Sequence, residues 1–439
     1  MQLRVNQLDS MKRHNMRIHP TVTVRGSRLL RRCLLNASIT ITIVASTTLH
    51  AVAIAELATQ DAEPNSTKET SNAVADRALL LAAVTANGEL ADYALARGAN
   101  VAAKENSEDL TPALILATRS ASKDIVIKLL ERNASPDITS KTGLSALMQA
   151  ARSSHTEIAS LLIAAGAELE LRDARDGYTA LLHCAAAGNL AMLENLIDAG
   201  ASVNVAEQKR GLTALMMVAS RRTGFQMVID LIAAGADINA SAKDGWTALM
   251  AATDQNNDDA LEVLLLNGAD ATATTQDGRS AFSLAAASGA LGAMKRLTAS
   301  IDIDSGDEKL AALLGKSLHE AALIGNSNIV EHLLAIGVHT NTPDSKGHSV
   351  LHSAVLGGHE TVVKALLSHS ADPNVRTEKD GHTALMLAAN RDMLTVVRYL
   401  LSAGADASII ATDGWTAMQA AELVGATDII KELNSNSSN

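Results

Sequence analysis

One motif is written eleven times along this chain, at intervals of 33 to 36 residues. Thr179-Ala180-Leu181 recurs as Thr213-Ala214-Leu215, Thr247-Ala248-Leu249 and Thr383-Ala384-Leu385. Weaker copies open at Arg77, Pro112, Ser145, Ser280, Lys316, Ser349 and Thr416. A period this regular over most of 439 residues demands a stacked-repeat architecture. Each unit is too small to bury its own apolar face and does so only against the copies before and after it.

Within a copy the residues spell helix, turn, helix, loop. Between Thr179 and Val203, the Thr179 hydroxyl stands where an N-cap belongs. Ala180–Ala187 make a short helix whose small residues allow close stacking, and Gly188-Asn189 turn the chain. Met192, Leu193, Leu196 and Ile197 recur at helical spacing on a second helix. Gly200-Ala201 then end it, glycine taking positive φ without strain.

These residues resemble the ankyrin-repeat family. Lys316-Ser317-Leu318-His319-Glu320-Ala321-Ala322 and Ser349-Val350-Leu351-His352-Ser353-Ala354 match its opening signature. Gly235-Ala236-Asp237-Ile238-Asn239, Gly268-Ala269-Asp270 and Gly404-Ala405-Asp406 match its second-helix exit, and Asp244-Gly245-Trp246-Thr247 and Asp413-Gly414-Trp415-Thr416 match its loop. The resemblance covers roughly residues 77–433. It implies an all-α solenoid of stacked helix pairs with β-hairpin fingers, and a protein that binds other proteins, usually without catalysis. It also implies that His319 and His352, at the signature histidine, bond backbone groups of the finger.

The ends differ in kind from the array. No acidic residue occurs from Ser10 to Ala55, and Lys12, Arg13, Arg17, Arg25, Arg28, Arg31 and Arg32 precede an apolar stretch over Cys33–Ala55. The small-residue sites Ala51-Val52-Ala53 and Ala53-Ile54-Ala55 follow. Basic flank, apolar centre and small-residue exit are the parts of a secretory signal peptide over 1–55 of a bacterial secreted protein. Arg31-Arg32-Cys33 also resembles a twin-arginine core, and a basic, acid-poor leader leaves a mitochondrial presequence as a lesser alternative to the signal peptide. Cys33–Ala55 has just the length to remain as a membrane anchor, but its polar content and alanine-rich exit argue for cleavage. Residues 56–76 read as a polar linker and 434–439 as a disordered tail.

The seventh copy breaks the pattern. Ser300–Glu308 replace both the glycine exit and the finger, so the array divides into copies 1–7 (77–299), an irregular joint (300–315) and copies 8–11 (316–433). Asp302, Asp304, Asp307 and Glu308 suggest calcium, but a calcium loop wants glycine sixth and a bidentate Glu twelfth. Counting from Asp302, Gly306 is fifth and Leu313 twelfth, so a solvated joint is expected.

Several chemistries are excluded. Aromatics are 2% of the chain, too few for base-stacking platforms. The first 55 residues hold eight Lys/Arg against one Asp; the remainder holds 29 against 47 Asp/Glu, a charge of −18. That body repels phosphate backbones and anionic lipid, so neither nucleic acid nor, beyond the leader, membrane is an expected partner. Two cysteines, Cys33 and Cys184, make no disulfide framework. No phosphate loop, serine elbow or zinc-protease helix occurs. Eight histidines fall between His319 and His382 and raise the alternative of a metal-binding or enzymatic protein. The signature (His319, His352), the helix turn (His359) and adjacent fingers (His348, His382) account for five of them. His183 beside Cys184 raises a catalytic pair, against the plainer reading of a buried Cys at an alanine position. The expectation is no enzyme activity, no cofactor and no metal.

In the family the residue before each opening Thr or Ser lies at a finger tip. Here these are Leu144, Tyr178, Leu212, Trp246, Arg279, His348, His382 and Trp415. Both tryptophans of the chain fall in this one phase, and Trp, Tyr and Arg dominate binding energy at interfaces. First-helix ends on the same concave side add Arg119, Arg152, Arg221, Arg222 and Arg391. The partner-binding set is therefore Tyr178, Trp246, Arg279, His348, His382, Trp415, Arg152 and Arg221. The expected protein is a monomeric, exported scaffold, periplasmic or secreted, that binds a partner protein; a secreted effector acting on host proteins shares the fold and differs in destination.

Overall fold

The computed structural model describes residues 68–436. The leader expected over 1–55, the first part of the linker and the last three residues lie outside them. Among the described residues the chain forms 22 α-helices in eleven pairs. The first seven pairs are α1 and α2 (Lys68–Thr85, Gly88–Ala96), α3 and α4 (Ala113–Arg119, Lys123–Glu131), α5 and α6 (Ala146–Ser153, Thr156–Ala164), α7 and α8 (Ala180–Ala187, Leu190–Asp198), α9 and α10 (Ala214–Ala219, Phe225–Ala233), α11 and α12 (Ala248–Asp254, Asp258–Leu266), and α13 and α14 (Ala281–Ser288, Leu291–Ala299). The last four are α15 and α16 (Glu308–Ile324, Ser327–Ala335), α17 and α18 (Val350–Gly357, Glu360–Ser368), α19 and α20 (Ala384–Asn390, Leu394–Ser402), and α21 and α22 (Ala417–Val424, Thr427–Asn436).

The opening Thr or Ser caps the first helix. Thr179 Oγ1 accepts the Leu182 N–H at 3.4 Å, Thr247 Oγ1 the Met250 N–H at 3.3 Å and Ser145 Oγ the Met148 N–H at 3.2 Å. All of the helices but α1 and α15 have six to ten residues, too few to stand alone in water. First helices pack on first helices of adjacent copies, and second on second. Leu181 and Leu182 on α7, Leu215 on α9 and Leu249 on α11 are buried in one continuous apolar core. Each such leucine contributes about 1.5–3 kcal/mol by leaving water.

The loops between copies join into a second stack. Each finger is closed by a backbone bond, as from Ala242 N–H to Trp246 O (2.8 Å). The residue after its first member donates to the preceding finger: Lys141 N–H to Asp109 O (2.7 Å), Ala174 to Thr142 (2.8 Å), Gln208 to Asp176 (2.9 Å), Lys243 to Arg210 (2.7 Å), Gln276 to Asp244 (2.8 Å) and Thr412 to Asp380 (3.0 Å). Gly245 shows why the turns need glycine: φ is +87°, and a Cβ there would meet the Thr275 backbone of the next finger. The expected β-hairpins are shorter than strands. Pairing among the described residues is limited to isolated bridges such as Lys104 with Pro112 and Ser241 with Thr247, because so few residues separate the arms.

Three boundaries move. The expected linker over 56–76 is helical from Lys68, because Ala75, Ala78, Leu79, Ala82 and Ala83 form a buried stripe that carries the helix backwards past Arg77. The joint over 300–315 is half helix. Asp307 accepts the Lys309 and Leu310 N–H groups as N-cap, and Leu310, Leu313 and Leu314 extend the buried stripe of Leu318. The tail expected over 434–439 stays helical to Asn436.

The helix stack therefore runs through the joint on α15, while the finger stack is interrupted there. Limited digestion with a protease specific for acidic residues is expected to cut first between Asp302 and Glu308, where Asp304 to Glu308 are exposed. First cuts inside another copy would show that this segment is as protected as the fingers.

Candidate partner-binding face

The groove that brings the expected residues together lies between fingers and first helices of the third to sixth copies. Tyr178, Leu212 and Trp246 come from three successive finger tips, and Met216, Met217 and Arg221 from α9 and its end. With Arg210, Asp254 and Gln255 they enclose a hollow of about 340 Å³. Met216 and Met217 were not singled out in the sequence. Their signal is the pair itself: Met148, Met250 and Met386 share the position of Met216, but no other copy puts a second methionine at the position of Met217.

The tips are not free in solvent. Tyr178, Leu212 and Trp246 are half-buried and pack on the core. The Tyr178 ring tilts against His183 at 5.2 Å. Burial pushes its hydroxyl pKa up, helped by the Glu207 and Asp176 carboxylates. The Arg279 guanidinium lies over the Trp246 ring at 5.5 Å, within cation–π range, while its Nε pairs with Asp277 (2.8 Å).

Arg221 is already employed. Its guanidinium donates to the Ala186 and Ala187 carbonyls at the end of α7, at 2.8 and 3.1 Å. It fits because Gly188 (φ +77°) has no Cβ, which would collide with it. The same place between adjacent copies is filled by His155, bonded to Thr118 O (2.8 Å), and by Asn257, bonded to Ala219 O (3.0 Å). Arg221 thus ties copies together and shows only part of its fork to the groove. Arg152 is exposed at the end of α5, close enough for its charge to oppose protonation of His183.

His348, His382 and Trp415 lie beyond the joint and do not share this groove. His348 Nδ1 pairs with Asp344 (3.2 Å) and His382 Nε2 with Asp413 (3.1 Å), and Trp415 is half-buried on the last finger. His319 Nε2–H donates to Thr342 O (2.7 Å) and its Nδ1 accepts from Ser353 Oγ (2.8 Å). His352 Nε2–H donates to His382 O (3.0 Å), while Nδ1 accepts from Ser349. Both rings hold up fingers with every nitrogen engaged. Among the described residues no three His, Cys, Asp or Glu side chains converge as a metal set.

His183 and Cys184 diverge. His183 Nε2 bonds Asp173 (2.8 Å), whose other oxygen accepts three backbone N–H groups of its finger. Burial holds the His183 pKa below its usual value against the pull of Asp173. Burial works to raise the Asp173 carboxyl, but the backbone donors and His183 outweigh it and hold it low. Cys184 Sγ donates instead to Asn189 O (3.2 Å), and burial pushes its pKa up to about 12. It is a packed thiol with no thiolate at neutral pH.

A family model described as ankyrin repeats (3 copies) matches residues 114–207, 188–275, 215–307, 282–377, 318–411 and 371–439. The glycerophosphocholine phosphodiesterase gde1 of Schizosaccharomyces pombe is 33% identical over 105 residues, 24% of this chain and 9% of that protein. The mitochondrial disaggregase of Homo sapiens is 31% identical over 188 residues, 41% of this chain and 25% of that protein. The chain thus matches a quarter or less of the length of these curated relatives. A solved structure, the human ASB11 ankyrin repeat domain, aligns over 51% of this chain and 96% of its own with TM-score 0.43 and 22% identity.

Proposed function

The chain belongs to the ankyrin-repeat family, and from that premise we propose an exported, non-enzymatic scaffold that holds a partner protein on the face lined by Tyr178 and Trp246. One observation carries the reading: three successive finger tips and a methionine pair surround a single hollow of about 340 Å³. Half-buried aromatic rings around a recess are the makings of a binding hot spot, since they offer large contact area at little cost in conformational freedom. Arg210 and Arg221 at its wall add positive charge to an otherwise acidic body and favour a partner that brings carboxylates. The polar engagement of His183 and the packed Cys184 thiol leave no activated nucleophile in the face.

Export rests on the basic, apolar and small-residue parts of residues 1–55 and leads to the periplasm or the medium. One experiment reads both halves of the proposal. The protein is captured from periplasm and medium of its native host after cross-linking, and mass spectrometry identifies the captured partner, the cross-linked residues and the chain's N-terminus. Cross-links at Tyr178, Arg210 or Trp246 and a chain beginning after Ala53 or Ala55 are expected. Cross-links confined to the second helices would place the partner elsewhere, and an intact Cys33–Ala55 segment in the membrane fraction would replace export by anchoring.

A further inference from the structure

The missing finger leaves a second hollow, at a later copy than the Tyr178 groove and sharing no residue with it. It has a volume of about 470 Å³, between α15 and the finger that opens at Asp344, and is lined by Lys316, Glu320, Leu323, Pro343 and Ser345 among others. Ser345 holds the place from which other fingers donate to the finger before them. Here no finger precedes it.

The chemistry of this hollow is unbalanced in one place. Asp344 accepts the Lys346 and His348 N–H groups and pairs with the His348 ring. Both His319 ring nitrogens are bonded. Lys316, one helical turn before Glu320, sends its Nζ away to the Gly278 carbonyl of the preceding finger. Glu320 Oε2 is left buried with no partner. A buried carboxylate oxygen without a donor costs stability, and burial accordingly pushes the Glu320 pKa up. The corresponding positions in other copies, such as Gln149, His183, Met217, Ala251, Leu284, Ser353 and Leu387, carry no acid. The acid stands only where the finger is missing. One turn on, Leu323 and Ile324 are 48% and 47% exposed.

We propose that this hollow receives a lysine or arginine side chain of a partner protein, paired to Glu320, with an adjoining apolar side chain of the same partner resting on Leu323. The charge on Glu320 selects the cation, and the acidic body around it favours approach of a basic segment. A turn of the Glu320 side chain into the hollow brings its shielded oxygen to the partner's ammonium or guanidinium, the donor that the fold withholds.

The test uses the full chain with methyl-labelled leucine and two short peptides, acetyl-Leu-Arg-Leu-amide and its neutral citrulline counterpart. The arginine peptide is expected to shift the Leu323 methyl signals with an affinity about tenfold above that of the citrulline peptide, and Glu320→Gln is expected to erase the difference. Melting supplies a second reading. A carboxyl whose folded pKa is raised above 4.5 weakens the fold as pH rises through that range. Glu320→Gln is therefore expected to melt above the parent protein at pH 7 and to lose that advantage in acid. Equal affinity for the two peptides, or no Leu323 shift at millimolar peptide, overturns the proposal. So does a Glu320→Gln protein that melts lower at pH 7, because the carboxylate would then be satisfied within the fold.

Discussion

Leu249→Ala is expected to destabilise the array by about 2–5 kcal/mol, the range for emptying a leucine site in a packed core. Leu249 is 1% exposed on α11, whose helix packs on α9 before it and α13 after it. In a solenoid the loss is felt at both neighbouring interfaces, so cooperativity should suffer as well as stability. Trp246, at the tip just ahead of that helix, is half-buried and packs on the core from one side. Trp246→Ala is expected to cost folding only about 1–2 kcal/mol while weakening the partner by about 1–2 kcal/mol or more. Denaturation curves and affinities measured on the same preparations separate the two effects. If Trp246→Ala unfolds the protein as severely as Leu249→Ala, the tryptophan is a packing residue and the binding face is misplaced. If it leaves affinity untouched, the partner uses another surface.

The contrast between those two residues shows where the sequence stops informing. Repetition made the fold legible: one copy is ambiguous, but eleven in phase assign cap, helix, turn and exit to each residue. The same phase put Tyr178 and Trp246 on finger tips. Their half-burial was hidden because it depends on the neighbouring copy. Arg221 is a sharper case. Its role as a tie rests on the α7 carbonyls and on the absent Cβ of Gly188, both in the preceding copy. Spacing alone would pair Lys316 with Glu320 across one helical turn. Lys316 instead answers the Gly278 carbonyl, and that choice is made by a finger 38 positions back. The start of α15 was missed for a related reason: four acids in a row of seven dominate the eye, while the stripe of Leu310, Leu313 and Leu314 that decides the conformation begins just after them.

Acid is expected to loosen the array from about pH 6.5 downwards, before the hydrogen-bonded Asp carboxylates of its fingers titrate, and His352 should carry much of the effect. The ring is 1% exposed on α17. Its Nε2–H supports the finger through the His382 carbonyl, and its Nδ1 lone pair is taken by Ser349, so a second proton would have to displace a hydrogen bond in a buried place. Burial drives its pKa from 6.5 to about 4, with His348 and His319 opposing the charge as well. A depressed histidine pKa means that the unfolded chain takes up the proton first. The stability it contributes is whole above pH 6.5, falls as pH drops below that value, and is gone once the folded ring also protonates near pH 4. The difference between the two ends of that window is about 3 kcal/mol. His183 and His319, also lowered by burial, add losses of the same sign. Asp344 and Asp413 are held below their ordinary value of 3.8 and weaken the fold only at lower pH still. Urea denaturation of the parent protein and of His352→Asn at pH 7.5 and pH 4.5 isolates the residue. The parent should lose about 2–3 kcal/mol more than the variant on going to the lower pH. An equal loss in the two proteins would mean that the ring already shares its second proton with water or a carboxylate, and that the finger it supports can open without unfolding its copy.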